Sequence, residues 1–276
     1  MPVDIYKKVE KKLERREKRY EVQQLMKEKH GDNYEVLEEV FDRSTLMTIY
    51  DFMNRGIIAE IYGTVKAGKE ARIYWGVSPD GEDLAIKIYL TVSAEFRRGM
   101  LPYIMGDPRF QNIKRGGRSL IYAWARKEFK NLILASEAGV RVPKPIAVSN
   151  NVLIMEFIGE NGTPAPQLKD VTEIDNAEEV FQRLVDDIEK LYKKAKIVHA
   201  DLSPYNILYH RGIAYIIDMA QGVPISHEFA LRFLYRDLYH IVNYFSAFLD
   251  MIPSPDELYK RITGKEPDYI VRQFVE

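Results

Sequence analysis

Between residues 58 and 90 the chain holds three runs of strand length, "IAEIYGTV", "EARIYWGVS" and "DLAIKIYL". All are rich in Ile, Val and aromatic residues, and turn residues bound them. "PDGE", between the second and third, is a hairpin signal. "PKPIAVSNNVLIMEFIG" (143–159) adds two more strands about a tight turn. After Gly162 the pattern changes, and helical periodicity runs through 176–196 and 226–250. "YAWARKEFKNLILASEAG" (122–139) reads as a helix inserted among the strands and ended by Gly139. Five early strands before a helical half predict an α+β fold, with a small antiparallel-sheet lobe and a reduced helical lobe.

The same pass sets expected boundaries. Residues 1–40 form a charged helical extension, its helix over 4–29. Residues 41–157 form the sheet lobe, and 158–276 the helical lobe. Ser44 is the expected cap of a helix ended by Gly56. Residues 91–120 are basic, glycine-bearing and poorly periodic, so they read as a loop or short helices, mobile without a partner.

Composition excludes several classes. No run of eighteen apolar residues exists, so no membrane span is expected. The charged start lacks the apolar stretch of a signal peptide. Without cysteine there is no disulfide partner and no thiolate chemistry, and a cytoplasmic protein is the default. Net charge is −1, yet residues 1–30 carry ten Lys/Arg against six Asp/Glu, and residues 91–127 carry eight against two. Two basic segments in a neutral chain suggest an anionic partner such as RNA, set against the plainer reading of solvated helix faces.

"IVHADLSPYNILYH" (197–210) encloses a polar loop between apolar anchors and fits H-x-D-x-x-x-x-N at His199, Asp201 and Asn206. Twelve residues on, "YIIDMA" ends a strand with Asp218; "LAIKIY" places Lys87 inside a strand, and "RKEFKNL" places Glu128 on the following helix. Each element alone is weak. Together, in this order, they resemble the protein-kinase signature set. Lys87 offers phosphates a cation, and Glu128 offers Lys87 an anionic partner. Asn206 and Asp218 offer oxygens to Mg²⁺ (or Mn²⁺). Asp201 is placed to orient an acceptor hydroxyl and take its proton. His199 reads as a packed anchor of the loop rather than a base.

"TVKAGKEARIYWG", "LAIKIY", "WARKEFKNL", "EAGVRVPKP", "VLIMEFIG", "PAPQLKD", "IVHADLSPYNILY" and "YIIDMAQGV" together resemble the RIO family of atypical kinases, over roughly residues 40–250. The basic insertion, and "DMAQ" where Asp-Phe-Gly is usual, resemble its first subfamily in archaeal form. The resemblance implies an ATP-dependent serine protein kinase with ATPase activity, and a role in small ribosomal subunit maturation with rRNA as a partner. It implies a phosphate loop in "GTVKAGKEA" that lacks G-x-G-x-x-G, with Lys66, Gly68 and Lys69 facing phosphate. "VLIMEFIG" becomes the hinge: Met155 at the back of the adenine pocket, the Glu156 carbonyl and the Ile158 N–H facing the base. It also implies an aspartyl phosphate on Asp218, and an autophosphorylation site in the insertion, where Ser119 and then Ser93 are the best-placed hydroxyls.

"HAD" lacks the arginine that usually meets an activation-loop phosphate, and no A-P-E follows in the fifty-eight residues after Asp218. A groove for an extended peptide is therefore not expected. Two other readings stay open: a small-molecule phosphotransferase of the aminoglycoside or choline kinase type, and an ATP-gated RNA-binding assembly factor with little kinase activity. Lys87, lying in a cleft, is expected to matter for phosphate positioning rather than for folding.

Overall fold

A computed structural model describes residues 41–90, 94–110 and 117–275. The expected helix over 4–29 and the candidate Ser93 lie outside these residues. The chain forms two compact units, with the boundary after Ile57. The described part of the first unit, residues 41–57, contains helix α1 (Arg43–Asn54). Its cap is Asp42 and not Ser44: Asp42 has an extended backbone, and its carboxylate accepts the Thr45 N–H at 2.9 Å. Ser44 is already inside the first turn, where its carbonyl accepts the Thr48 hydroxyl. Gly56 follows the helix at φ +67°, as a left-handed terminator.

The second unit opens with strands β1 (Glu60–Ala67), β2 (Ala71–Val77) and β3 (Asp83–Tyr89). Helices α2 (Ala94–Ile104) and α3 (Arg118–Glu137) follow, then β4 (Pro145–Ser149) and β5 (Val152–Glu156). The five strands form one antiparallel sheet in the order β1-β2-β3-β5-β4. β3 and β5 pair in the middle, and β3 is buried along nearly its whole length. Side chains alternate across a strand, so Leu84, Ile86 and Ile88 share one face, each at most 1% exposed. Ala85, Lys87 and Tyr89 share the other and line a cleft. α3 packs against β4 and β5 on the cleft side, which brings Glu128 to Lys87.

The basic segment is described over residues 94–110 and 117–120. It carries α2, a 3-10 turn at Pro108–Phe110 and the first turn of α3, which starts four residues before the expected 122. Met100, Phe110, Leu120, Trp124 and Ala220 form an apolar cluster around Tyr89, which packs Met100 and Phe110 of this segment against β3 and α3.

Short strands β6 (Gly159–Glu160) and β7 (Thr163–Pro164) lead out of the sheet to α4 (Ala177–Lys190). β8 (Ile197–Val198), β9 (Ile207–His210), β10 (Ile213–Ile216) and β11 (Val223–Pro224) come next. Helices α5 (Ala230–Phe245), α6 (Pro255–Thr263) and α7 (Tyr269–Arg272) complete the unit. The expected 176–196 helix stops early: a π turn at Leu191–Ala195 ends at Lys196, φ +58°. β9 and β10 form a hairpin, and β8 pairs with β11. Loops 199–206 and 217–222 are therefore each anchored at both ends by a strand of one of these pairs.

Candidate active site

That double anchoring sets the loops side by side. The Ile217 N–H donates to the Asn206 carbonyl at 2.9 Å. His199 is 2% exposed. Its Nδ1 accepts the Asp201 N–H at 3.3 Å, so Nε2 carries the proton and donates to the Ile217 carbonyl at 3.0 Å. Burial lowers its pKa. His199 thus ties the two loops together as a neutral ring, the packed anchor its sequence position suggested.

Asp201 and Asn206 are joined directly. The Asn206 Nδ2 donates to the Asp201 carbonyl at 2.8 Å and to its Oδ2 at 3.1 Å, leaving the amide oxygen for another group. Burial, helped by the Asp218 charge, raises the Asp201 carboxyl above its ordinary value, as suits a group that accepts a proton. Asp218 sits at φ +62°, a conformation non-glycine residues rarely hold. Its Oδ1 takes the Lys87 ammonium at 3.0 Å, while 48% of the side chain remains exposed. Burial pushes this carboxyl up, but the charge and hydrogen bond of Lys87 outweigh it and hold it low.

Lys87 also meets Glu128 at 2.8 Å. Burial alone would discharge such a lysine; the two carboxylates reverse that, and its pKa rises. Glu128 is 0% exposed. Burial pushes its carboxyl up to about 7 against the pull of Lys87. Its second oxygen accepts the Tyr89 hydroxyl.

The cleft encloses about 490 Å³, the scale of a nucleotide-sized pocket. Met155, Glu156 and Ile158 line it at the end of β5. The Ile158 carbonyl accepts the Ala165 N–H at 2.9 Å, and no hydrogen bond among the described residues uses the Ile158 N–H. Across the cleft stand Lys66, Gly68 and Lys69. The Gly68 N–H closes the β1–β2 turn on the Ala71 carbonyl, and a Cβ there would lie 3.1 Å from that oxygen. Of the remaining candidates, Asn206 and Asp218 line the cleft directly, with Lys87 between the sheet and Asp218. Glu128 stands behind Lys87, and Asp201 stands behind Asn206. Ser119 is exposed at the start of α3, away from this lining.

The donor set fits a hard cation. Asn206 and Asp218 would offer oxygens, and no group of three His, Cys, Asp or Glu side chains among the described residues is arranged to hold a metal ion by itself. A magnesium-type ion there needs its other ligands from phosphate and water, as Mg²⁺ prefers.

Three contributors escaped the sequence reading. Glu70 lines the cleft, and burial and the Asp218 charge raise its carboxyl. Tyr89 could have been found, since it shares a strand face with Lys87 two residues away. Asp237 interrupts the apolar face of α5, which was its signal. Its carboxylate accepts the N–H groups of Ala200 at 2.8 Å and Leu202 at 2.9 Å, on either side of Asp201. Those bonds hold Ala200 at φ +67°. Burial pushes Asp237 up to about 8, against the two backbone donors and Arg236.

Comparison with known proteins agrees with this geometry. The family model described as "RIO domain" matches residues 72–258. The "RIO-type serine/threonine-protein kinase Rio1" of Haloferax volcanii is 39% identical over 87% of this chain and 82% of its own length. Its namesake in Methanocaldococcus jannaschii is 38% identical over 92% and 86%. The human "Serine/threonine-protein kinase RIO1" is 36% identical over 86% of this chain, which spans 44% of that longer protein. Among solved structures, the Rio2 kinase of Chaetomium thermophilum in an "ADP/Mg2+-phosphoaspartate complex" matches with a TM-score of 0.57 at 20% identity, over 83% of this chain and 72% of that one. At that identity the likeness concerns the two-lobed kinase fold.

Proposed function

The chain belongs to the RIO family, in its Rio1 branch, and from that premise we propose that its cleft transfers the γ-phosphoryl group of ATP. The protein is an atypical serine/threonine kinase; the division of labour among its residues is our reading. One observation carries it: two strand-anchored loops bring Asp201, Asn206 and Asp218 beside the Lys87–Glu128 pair. Adenine stacks beside Met155, with the Glu156 carbonyl and Ile158 N–H as its partners. Lys87 holds phosphate oxygens, kept charged and aimed by Glu128. Lys66, Lys69 and the amides around Gly68 cover the phosphates. Asn206 and Asp218 hold Mg²⁺, or Mn²⁺ in its place, which neutralises charge on the phosphates when bound. Asp201 accepts the proton of the acceptor hydroxyl as its oxygen bonds to phosphorus and the bond to ADP breaks.

Substitution Asp201→Ala tests this. Transfer from radiolabelled ATP should fall by about 10²- to 10⁴-fold. Undiminished transfer would remove Asp201 from its role. The small-molecule phosphotransferase alternative is not favoured by the named relatives.

A second reading has its own support. The Asp218 carboxylate faces the cleft with one oxygen held by Lys87 and the side chain half exposed, a placement that suits a nucleophile. In that reading the γ-phosphoryl group passes to Asp218, ADP leaves, and Asp201 then activates water to release phosphate. The phosphoaspartate complex of the distant Rio2 structure is consistent with it. Label on the protein that hydroxylamine removes would support an acyl phosphate; hydroxylamine-resistant label on Ser119 or another hydroxyl would leave Asp218 as a metal ligand.

Pre-ribosomal small subunits and their rRNA are the partners we propose, in the cytoplasm. Arg118, Arg126 and Lys130 lie exposed along α3, in and beside the basic segment. Binding to small-subunit rRNA should weaken steeply with salt; a flat dependence would remove phosphate contacts from the account. Among the described residues no helix is long and apolar enough to cross a membrane.

A further inference from the structure

The loop after Asp218, residues 219–222, closes on itself with the Gly222 N–H on the Met219 carbonyl at 3.2 Å. The rest of its anchoring comes from side chains elsewhere. The Asn131 Nδ2 donates to the Met219 carbonyl at 2.7 Å and the Gly222 carbonyl at 3.0 Å. Arg109, in the basic insertion, donates from Nη2 to the Gly222 carbonyl at 3.1 Å and from Nη1 to the Asn131 Oδ1 at 2.7 Å. Its Nε and Nη2 also grip Asp107, whose side chain is wholly buried. The guanidinium fork thus makes three attachments at once, which the point charge of a lysine cannot reproduce. The fit is close: a Cβ on Gly222 would lie 2.8 Å from the Asn131 Nδ2.

Asp218 itself holds a left-handed backbone, a conformation that persists where the surroundings over-determine it. Met219 is the next residue, and its carbonyl is one of those held. We infer that Arg109 is a positioning residue for Asp218: through Asn131 and the Gly222 carbonyl, docking of insertion residues 107–110 fixes the loop that aims the Asp218 carboxylate. The insertion then does here what a phosphorylated activation segment does elsewhere, and no phosphate is needed. The inference rests on the reading of Asp218 as the carboxylate of phosphoryl transfer.

Arg109→Lys in the full chain tests it, beside the parent, Asp218→Asn and Ile262→Val, a core change remote from the cleft that sets how far lost stability alone moves the readouts. Amide hydrogen exchange without nucleotide or metal should speed up about tenfold or more at residues 219–222 and stay unchanged across β3 and β5. kcat at saturating ATP should fall about tenfold or more, with KM for ATP within about threefold, since a small misplacement costs the chemical step rather than binding. Ile262→Val should leave both the loop exchange and kcat near the parent values. If Arg109→Lys does not fold, Arg109→Gln is read by the same measures. Loop exchange and kcat both within about twofold of the parent would overturn the inference, as would either changing without the other. Turnover that survives in Asp218→Asn would instead overturn the reading of Asp218 on which it rests.

Discussion

Two neighbours on α3, Lys127 and Glu128, belong to two buried charge clusters that behave in opposite ways. On the cleft side, Lys87 meets Glu128 at 2.8 Å and Asp218 at 3.0 Å, and two carboxylates hold it charged. On the insertion side, Lys127 is equally buried but has one carboxylate, Asp107, at 3.9 Å, which Arg109 already occupies. Its hydrogen bonds go to the Tyr103 and Gln221 carbonyls at 3.2 and 3.3 Å, and its ammonium lies 4.6 Å from the centre of the Trp124 ring. Burial and the Arg109 charge bring it down to about 7. The number of anions within reach therefore decides whether a buried lysine is a fixed charge or a packed amine. Only the first kind can wait for phosphate.

The largest effect should come from breaking the first cluster. Lys87→Ala should cut phosphotransfer by about 10²- to 10³-fold. It should also lower stability, contrary to what the sequence alone led one to expect. Glu128 is left buried without its cation, which costs about 3–5 kcal/mol if it stays charged and less as it takes a proton. Without Lys87 the Glu128 carboxyl moves above its value of about 7, so thermal melts should show a loss that grows as pH rises above neutral and shrinks as it falls back toward neutral. Adding Glu128→Gln should restore much of the melting temperature and none of the activity. An unchanged melting temperature in Lys87→Ala would mean that the pair contributes little to folding.

A smaller effect is expected from Tyr89→Phe, which removes the donor on the second Glu128 oxygen. The loss of about 1–2 kcal/mol should appear as a several-fold rise in KM for ATP, because Glu128 then holds Lys87 less firmly. If KM and kcat both match the parent, Tyr89 is only packing.

The difference between the clusters also explains what could be read beforehand. Lys87, Glu128, Asp201, Asn206 and Asp218, each weak alone, stood out because their order, spacing and places on strand, helix and loop together resemble the kinase signature set. The sheet and its turns were legible from runs of Ile, Val and aromatic residues bounded by turn residues: β3 is a nearly continuous apolar run, and it follows its hairpin partner β2 across "PDGE". The second cluster was not legible. Asp107 and Arg109 sit in a segment without periodicity, and Lys127 looks like any charge on a helix surface. Only the tertiary fold shows that it points inward. Asp42 displaced Ser44 as cap because both satisfy the sequence rule, and the choice depends on where the backbone turns helical. The early end of α4 came from a π turn, for which the apolar pattern carries no mark.

The last test separates the two lysines by their titration. Lys127 has a folded pKa of about 7, below the unfolded lysine value of about 10.4. Between those values the unfolded chain binds a proton that the folded chain does not, so stability rises with pH through that window. Below about 7 both states are protonated, and the full cost of a buried charge is present. Lys87 has the opposite shift: its contribution is fully present below the unfolded value and is lost only as pH rises through the folded one. Urea unfolding at pH 6, 7.5 and 9 should therefore show the parent gaining stability relative to Lys127→Met, by at most about 1.4 kcal/mol per pH unit, while the opposing fall contributed by Glu128 and Asp237 is common to both. Lys87→Met, which leaves Glu128 without its cation, should instead lose ground to the parent as pH rises above neutral. Met keeps the apolar stem against Trp124 and removes the amine, so Lys127→Met should match or exceed the parent at pH 6 and fall behind it at pH 9, where the neutral amine still holds the Tyr103 and Gln221 carbonyls. Parallel pH profiles in the parent and Lys127→Met would show that Lys127 stays charged, and the two clusters would then differ only in which element they hold.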